Sequence, residues 1–178
     1  MSKWIHIEVF PTPYGELILG SRGEEICLCD WRYRKSRESI DRRIQESLQA
    51  AFVEAGSPAI EQCKAQLSEY FDKARKAFDL PIRLVGSEFQ KRVWNALMEI
   101  PYGKTQSYAG LTRKLGDEKA IRAVARANGD NALSIIVPCH RILGSDGSLT
   151  GYAGGLRVKK KLLQLEGASL QQELNFES

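Results

Sequence analysis

The stretch "SYAGLTRKLGDEKAIRAVARANG", Ser107 to Gly129, reads as two short helices with a turn between them. One covers about Ser107–Leu115 and stops at Gly116. The next begins near Asp117 and runs to about Ala127, before Asn128-Gly129. Two helices joined this closely form a helix-turn-helix pattern. The second helix carries Ala120, Ala123 and Ala127 beside Arg122 and Arg126. Small side chains let a helix backbone approach a surface, and arginines supply phosphate contacts or a wedge. A major-groove reader more often shows Asn, Gln or Ser for base edges. The alanine-rich face therefore points to close, sequence-tolerant packing in a minor groove. The plainer alternative is a helix that packs its alanines into a core.

Charge favours the first alternative. Residues 1–85 carry 13 Lys/Arg against 13 Asp/Glu, whereas residues 86–170 carry 13 against 7. The basic excess sits with the helix pair, as expected for a polyanionic partner. Hydrophobic content of 43% and charged content of 27% are those of an ordinary globular chain. No run of 18 apolar residues is present, so no membrane span is expected. "MSKWIHIEVF" has no signal-peptide pattern, which predicts a cytoplasmic, reducing location. Cys27, Cys29, Cys63 and Cys139 then read as free thiols.

Upstream of the helix pair, Ser87-x-x-Gln90 precedes a helix with Phe89, Val93, Trp94 and Leu97 on one side, which ends before Pro101-Tyr102-Gly103. "DLPIRLVGS" (Asp79–Ser87) is the connection to an N-terminal part. That part opens with Ile5–Phe10, Gly15–Ser21 and Glu24–Trp31, three strand-like segments separated by turn residues. Their spacing predicts an antiparallel meander. A helix is expected around Asp41–Phe52. A second begins after Ser57-Pro58, with Ile60, Cys63, Leu67, Tyr70, Phe71, Ala74 and Phe78 on one apolar stripe. Cys63 on that stripe reads as a small core residue. The expected domains are therefore 1–85 and 86–170, followed by a polar tail at 171–178.

Downstream lies "SIIVPCHRILGSDGSLTGYAGG", Ser134 to Gly155. The β-branched run Ile135-Ile136-Val137 reads as a buried strand halted by Pro138. Cys139, His140 and Arg141 follow where that strand stops. A free thiol is mostly protonated at neutral pH and needs a base or a positive field to become a nucleophile. On an extended segment neighbouring side chains point apart. His140 would therefore act through a water or a bend, and would itself need an orienting carboxylate. The last helix is expected at about Leu156–Leu165, ending at Glu166-Gly167. A metal site is not expected, because Cys27 and Cys29 are too closely spaced and no second Cys-x-x-Cys or His-x-x-x-His exists.

"PCHRI", with "FQKRVWNALMEIPYGKTQSYAGLTRKLG", "AIRAVARANGDN", "NALSIIV", "GSLTGYAGG" and "LLQLEG", resembles the methylated-DNA–protein-cysteine methyltransferases. The likeness runs from about Phe89 through Gly167. It implies an α+β fold: a small N-terminal antiparallel sheet with helices on a ribonuclease H-like plan, and a mainly helical, winged helix-turn-helix-like C-terminal domain. It implies transfer of an alkyl group from O6 of guanine, and from O4 of methylthymine, to the protein's own cysteine. Cys139 would be the acceptor, His140 the water-mediated base and Glu166 its orienting carboxylate. Asn131 would brace the active-site loop. Tyr108 would rotate a phosphate and hydrogen-bond the flipped guanine, and Arg122 would fill the vacated stack. Ala123 and Arg126 would lie on the DNA-facing helix. Tyr152, Ala153 and Gly154 would close over the base, with Lys159 nearby. The implied partner is double-stranded DNA containing alkylated guanine, met by a monomer without cofactor or metal.

The chain departs from many relatives at Ala132 and Ser134, which are expected to line the approach to the pocket. Two rivals are a module that recognises alkylated guanine without repairing it, and a Cys-His hydrolase. The first would lack the acceptor thiol. The second needs an oxyanion hole and repeated turnover.

Overall fold

Turn residues divide the N-terminal sequence into strands, and the computed structural model, which describes residues 2–170, follows those divisions. Strands β1 (Trp4–Thr12), β2 (Gly15–Arg22) and β3 (Glu25–Trp31) form the expected antiparallel meander. Thr12 closes the first turn: its hydroxyl donates to the Gly15 carbonyl at 2.6 Å and accepts from the Tyr14 N–H.

Helix α1 spans Arg37–Leu48 and so begins and ends earlier than its sequence suggests. Ile40, Ile44 and Leu48, spaced by four, bury its inner face, and Gln49 ends it with φ 48°. Ala51 and Phe52, expected as the end of that helix, belong instead to strand β4 (Ala51–Glu54), which pairs parallel with β1. The sheet order is β3-β2-β1-β4.

Helix α2 spans Pro58–Phe71, capped by Ser57, whose hydroxyl accepts from the Ile60 N–H at 3.0 Å. The apolar stripe predicts a helix to Phe78. The helix stops earlier, and Lys73 turns the chain with φ 62°. Cys63 lies fully buried beside Ile60, Leu67 and Tyr70.

The free edge of the sheet, β3, is covered by two short segments. Ile26 exchanges backbone hydrogen bonds with Pro81 and Arg83, each 2.9 Å. Cys29 donates to the Ala132 carbonyl at 2.9 Å and accepts from the Ser134 N–H at 2.7 Å. Residues up to Ser87 thus form one unit together with Ala132–Ile136. Ala132 belongs to the core of that unit with Ile5, Leu28 and Ile44. The Ser134 hydroxyl donates to the buried Asp30 carboxylate at 3.0 Å, and Arg34 and Arg37 hold that carboxylate from the same unit. Both residues are therefore buried within this unit, against β3. Ile135-Ile136-Val137 is not a strand. Ser134–Ile136 forms a turn, with Ile135 at φ 73°, a region a β-branched residue seldom enters.

The second unit comprises Glu88–Asn131 and Val137 onward. Its helices are α3 (Glu88–Met98), α4 (Tyr108–Lys114), α5 (Ile121–Gly129) and α6 (Leu156–Leu165). Trp94 of α3 is buried and donates its indole N–H to the Ala127 carbonyl of α5 at 2.8 Å. Ser107 caps α4 by accepting from the Gly110 N–H. Gly116 leaves α4 at φ 89°, and a 3₁₀ turn at Glu118–Ala120, capped by Asp117, leads into α5. This is the helix-turn-helix, and its second helix is two short pieces. Strands β5 (Gln106–Ser107) and β6 (Ile142–Leu143) pair parallel, joining the entry to α4 with the chain that leaves the cysteine. The expected tail at 171–178 lies outside the described residues. None of the described helices is long and apolar enough to cross a membrane.

Candidate active site

The Pro138 break produces a 3₁₀ turn at Cys139–Arg141, so the three side chains leave a tight bend and not an extended strand. The Val137 carbonyl sets the start of this bend. It accepts from the Cys139 N–H at 2.8 Å and from the Asn131 side-chain amide at 2.9 Å. Asn131 follows directly after α5, so the end of that helix is tied to the residue two before the cysteine.

Cys139 is 4% exposed and His140 is fully buried. The His140 Nε2 lies 2.8 Å from Glu166 Oε2. Glu166 follows the last turn of α6, where Gly103 gives it room: a Cβ on Gly103 would meet the Glu166 carbonyl at 2.9 Å. Arg141 reaches the same carboxylate with two nitrogens, Nε to Oε1 at 2.8 Å and a terminal nitrogen to Oε2 at 3.0 Å. Its other terminal nitrogen donates to the Ile100 carbonyl at 2.7 Å, and its guanidinium faces the Tyr102 ring at 5.9 Å.

The electrostatics follow from this packing. Burial alone raises the Glu166 carboxyl, but the hydrogen bonds and charges of His140 and Arg141 carry it well below the usual carboxylate range. It is therefore an anion, and the His140 nitrogen facing it bears the proton. Burial pushes the imidazole below its ordinary value, opposed by Glu166, and Arg141 and Lys159 push it lower still. His140 is thus neutral near pH 7 and its Nδ1 is a bare acceptor. That atom is buried and has no hydrogen-bond partner among the described residues. Leaving an acceptor unsatisfied costs about 1–3 kcal/mol, which marks Nδ1 as a functional atom.

The remaining predicted residues fall into two groups. Tyr108 opens α4, and its hydroxyl accepts from the Asn128 amide at 3.3 Å. Burial raises its phenol, and the charge of Cys139 adds to that. The rings of Tyr152 and His140 meet edge to face, with centroids 6.4 Å apart. Tyr152, Ala153 and Gly154 form a half-buried turn closed by the Gly155 N–H on the Tyr152 carbonyl, 2.9 Å. Lys159 is fully buried in α6 and donates to the Thr150 carbonyl. Arg122, Ala123 and Arg126 stand exposed along α5. Ala127, grouped with them by sequence, is buried at 2% exposure.

Arg141, Asn128 and Thr150 belong to the site although the sequence reading assigns them no role in it. Cys27, Cys29 and Cys63 are buried within the first unit. Burial pushes the Cys27 thiol up to about 12, which leaves it inert.

A helix-turn-helix unit with a cysteine beside a buried histidine–carboxylate pair defines a protein that combines a nucleic-acid-binding motif with a candidate nucleophile. The chain belongs to the 6-O-methylguanine DNA methyltransferase family: residues 88–168 match its DNA binding domain and residues 5–84 its ribonuclease-like domain. It is 41% identical over 164 residues to the methylated-DNA–protein-cysteine methyltransferase of Methanosarcina acetivorans, covering 92% of this chain and 99% of that one. It is 39% identical over 163 residues to the constitutive enzyme of that name from Bacillus subtilis, covering 91% and 95%. Among solved structures, Mycobacterium tuberculosis OGT in complex with DNA superposes with a TM-score of 0.78 at 37% identity, over 91% of this chain and 92% of that one.

Proposed function

We infer that this protein repairs DNA by direct reversal, taking the methyl group from O6 of guanine onto Cys139. The observation that carries the assignment of the acceptor is the bare Nδ1 of His140 in the bend that bears the thiol, with Glu166 ionised behind it. An alkyl group inside a duplex is out of reach of a buried thiol, so the damaged nucleotide is extruded first, at a cost of a few kcal/mol. Arg122, exposed on α5, offsets part of that cost by occupying the gap, and Arg126 contacts the backbone. Tyr108 and the Tyr152–Gly154 turn hold the flipped base, while Asn131 fixes the cysteine bend.

His140 Nδ1 takes the Cys139 proton through a bridging water. The thiolate then attacks the methyl carbon in line. A sulfur–carbon bond forms as the carbon–O6 bond breaks, and guanine leaves as an anion that is protonated at the site through Tyr108. The product is a thioether, a poor leaving group, so each molecule acts once. The reading extends to O4-methylthymine, whose alkyl group would pass to the same thiol. The reading includes a monomeric, intracellular protein that works on double-stranded DNA without a cofactor.

The test is intact-mass measurement after incubation with a duplex carrying methylated guanine. One added methyl, about 14 Da by this chemistry, is expected on Cys139, and none in Cys139→Ala, which should still bind DNA. Methyl loss from DNA in the alanine variant, or a second turnover in wild type, would overturn the assignment.

A further inference from the structure

Lys159 has a position that closure over a base does not explain. Its side chain is fully buried, although lysine is almost never so unless paired. Its ammonium donates to a neutral group, the Thr150 carbonyl. Among the described residues no carboxylate lies in salt-bridge range of it. Glu166, the acid of this site, is committed to His140 and Arg141. An ammonium removed from water without an anion is costly. Helix α6, which carries Lys159, packs against the Cys139–Arg141 turn, and the charge that acts on its ammonium there is that of Cys139.

We propose that the Lys159 ammonium is the counter-ion of the Cys139 thiolate, so that α6 sets the fraction of nucleophile present at neutral pH. The groups around the pair fit this division of labour. Tyr108, from α4, is held as the neutral phenol. His140 and Arg141 come from the cysteine's own bend, and Glu166 from beyond α6. Arg141 already neutralises Glu166, so an imidazolium at His140 would be a surplus cation beside Lys159. His140 therefore passes the thiol proton on to solvent, and the charge that remains opposite the sulfur is the ammonium. Burial lowers Lys159 to about 8, and the charge of Cys139 acts in the opposite direction, toward keeping it protonated.

This assignment rests on Cys139 being the working thiol, but its test needs no DNA. The rate of carbamidomethylation of Cys139 by iodoacetamide is measured on the whole chain from pH 5 to 10, using peptide mass. Lys159→Gln is expected to react about tenfold more slowly at pH 7, with its profile moved up by about one pH unit. Lys159→Arg, which keeps the charge, should stay within a few-fold of wild type. A Lys159→Gln profile that superimposes on wild type would overturn the proposal.

Coupling between two sites is reciprocal, so a second measurement leaves Lys159 in place. The titration midpoint of the Lys159 ammonium, followed by the Cε resonance, should fall in Cys139→Ser. An unchanged midpoint would overturn the proposal even if Lys159→Gln fails to fold. A shifted profile with no methyl transfer from DNA would leave this pairing standing and remove the repair reading instead.

Discussion

Glu166 holds the site together through a single carboxylate shared by two partners. His140 and Arg141 both contact it within 3.0 Å in a dry environment. Removing one member of a buried ion pair leaves the other uncompensated, at about 3–5 kcal/mol. Glu166→Gln should therefore lose stability of that order in denaturant titrations. It should also transfer methyl groups on the order of a hundredfold more slowly at pH 7, since general-base assistance is worth that much. Its rate should partly recover as the pH passes the ordinary thiol value of about 8.5. Single-turnover rates across pH would show this, and a variant that tracks wild type throughout would take Glu166 out of the mechanism. At this scale the sequence was only partly legible. Cys139, His140 and Glu166 could be named from resemblance, but the hold of Arg141 on Glu166 spans 25 residues and leaves no periodic trace. Resemblance places Lys159 near the closing loop, but nothing in "RVKKK" shows that this lysine, unlike its neighbours, is fully buried.

At the scale of elements, α5 divides its two faces cleanly. Val124, Ala127 and Asn128 are buried, while Arg122, Ala123 and Arg126 are exposed. The proposed wedge acts only while a base is out of the stack. Arg122→Ala should thus slow repair of duplex DNA at least tenfold while changing reaction with free alkylated base little. Arg126→Ala should instead weaken duplex binding generally and flatten its salt dependence. Equal slowing of both substrates by Arg122→Ala would sink the wedge. Elements with strong local signals were legible in sequence: α6 starts and stops where its apolar period and Glu166-Gly167 indicate, and Ser57 caps α2 as its position before proline suggests. The misread elements are those decided by distant partners. Ala51–Glu54 is a strand because β1 offers it an edge. Ile135–Val137 is apolar because it is buried, and a short apolar run does not reveal its backbone.

For the whole molecule, two buried groups set the response to acid with the same sign. Burial holds His140 below its ordinary 6.5, so the unfolded chain takes up that proton first. Stability should begin to fall as pH drops through 6.5, by up to about 1.4 kcal/mol per pH unit for one proton. Glu166, held low by its partners, adds stability that is present above its unfolded value of 4.5 and is lost below it. Asp30 acts in the opposite direction, because burial raises its carboxyl despite Arg34 and Arg37. Urea unfolding between pH 8 and 5 should show the decline, and His140→Gln should flatten it. An equally steep decline in that variant would place its origin elsewhere.

The covering of β3 has a consequence for how the chain is made. A ribosome delivers the first 87 residues as a sheet whose outer strand still offers the Cys29 amide and carbonyl to any neighbour. The segment that covers them, Ala132–Ile136, emerges only after α3, α4 and α5 have been synthesised. Until then an open strand edge invites pairing with another nascent chain. The same few residues that lead into Cys139 therefore complete the N-terminal sheet, and the polypeptide finishes that unit only on its way to the proposed acceptor.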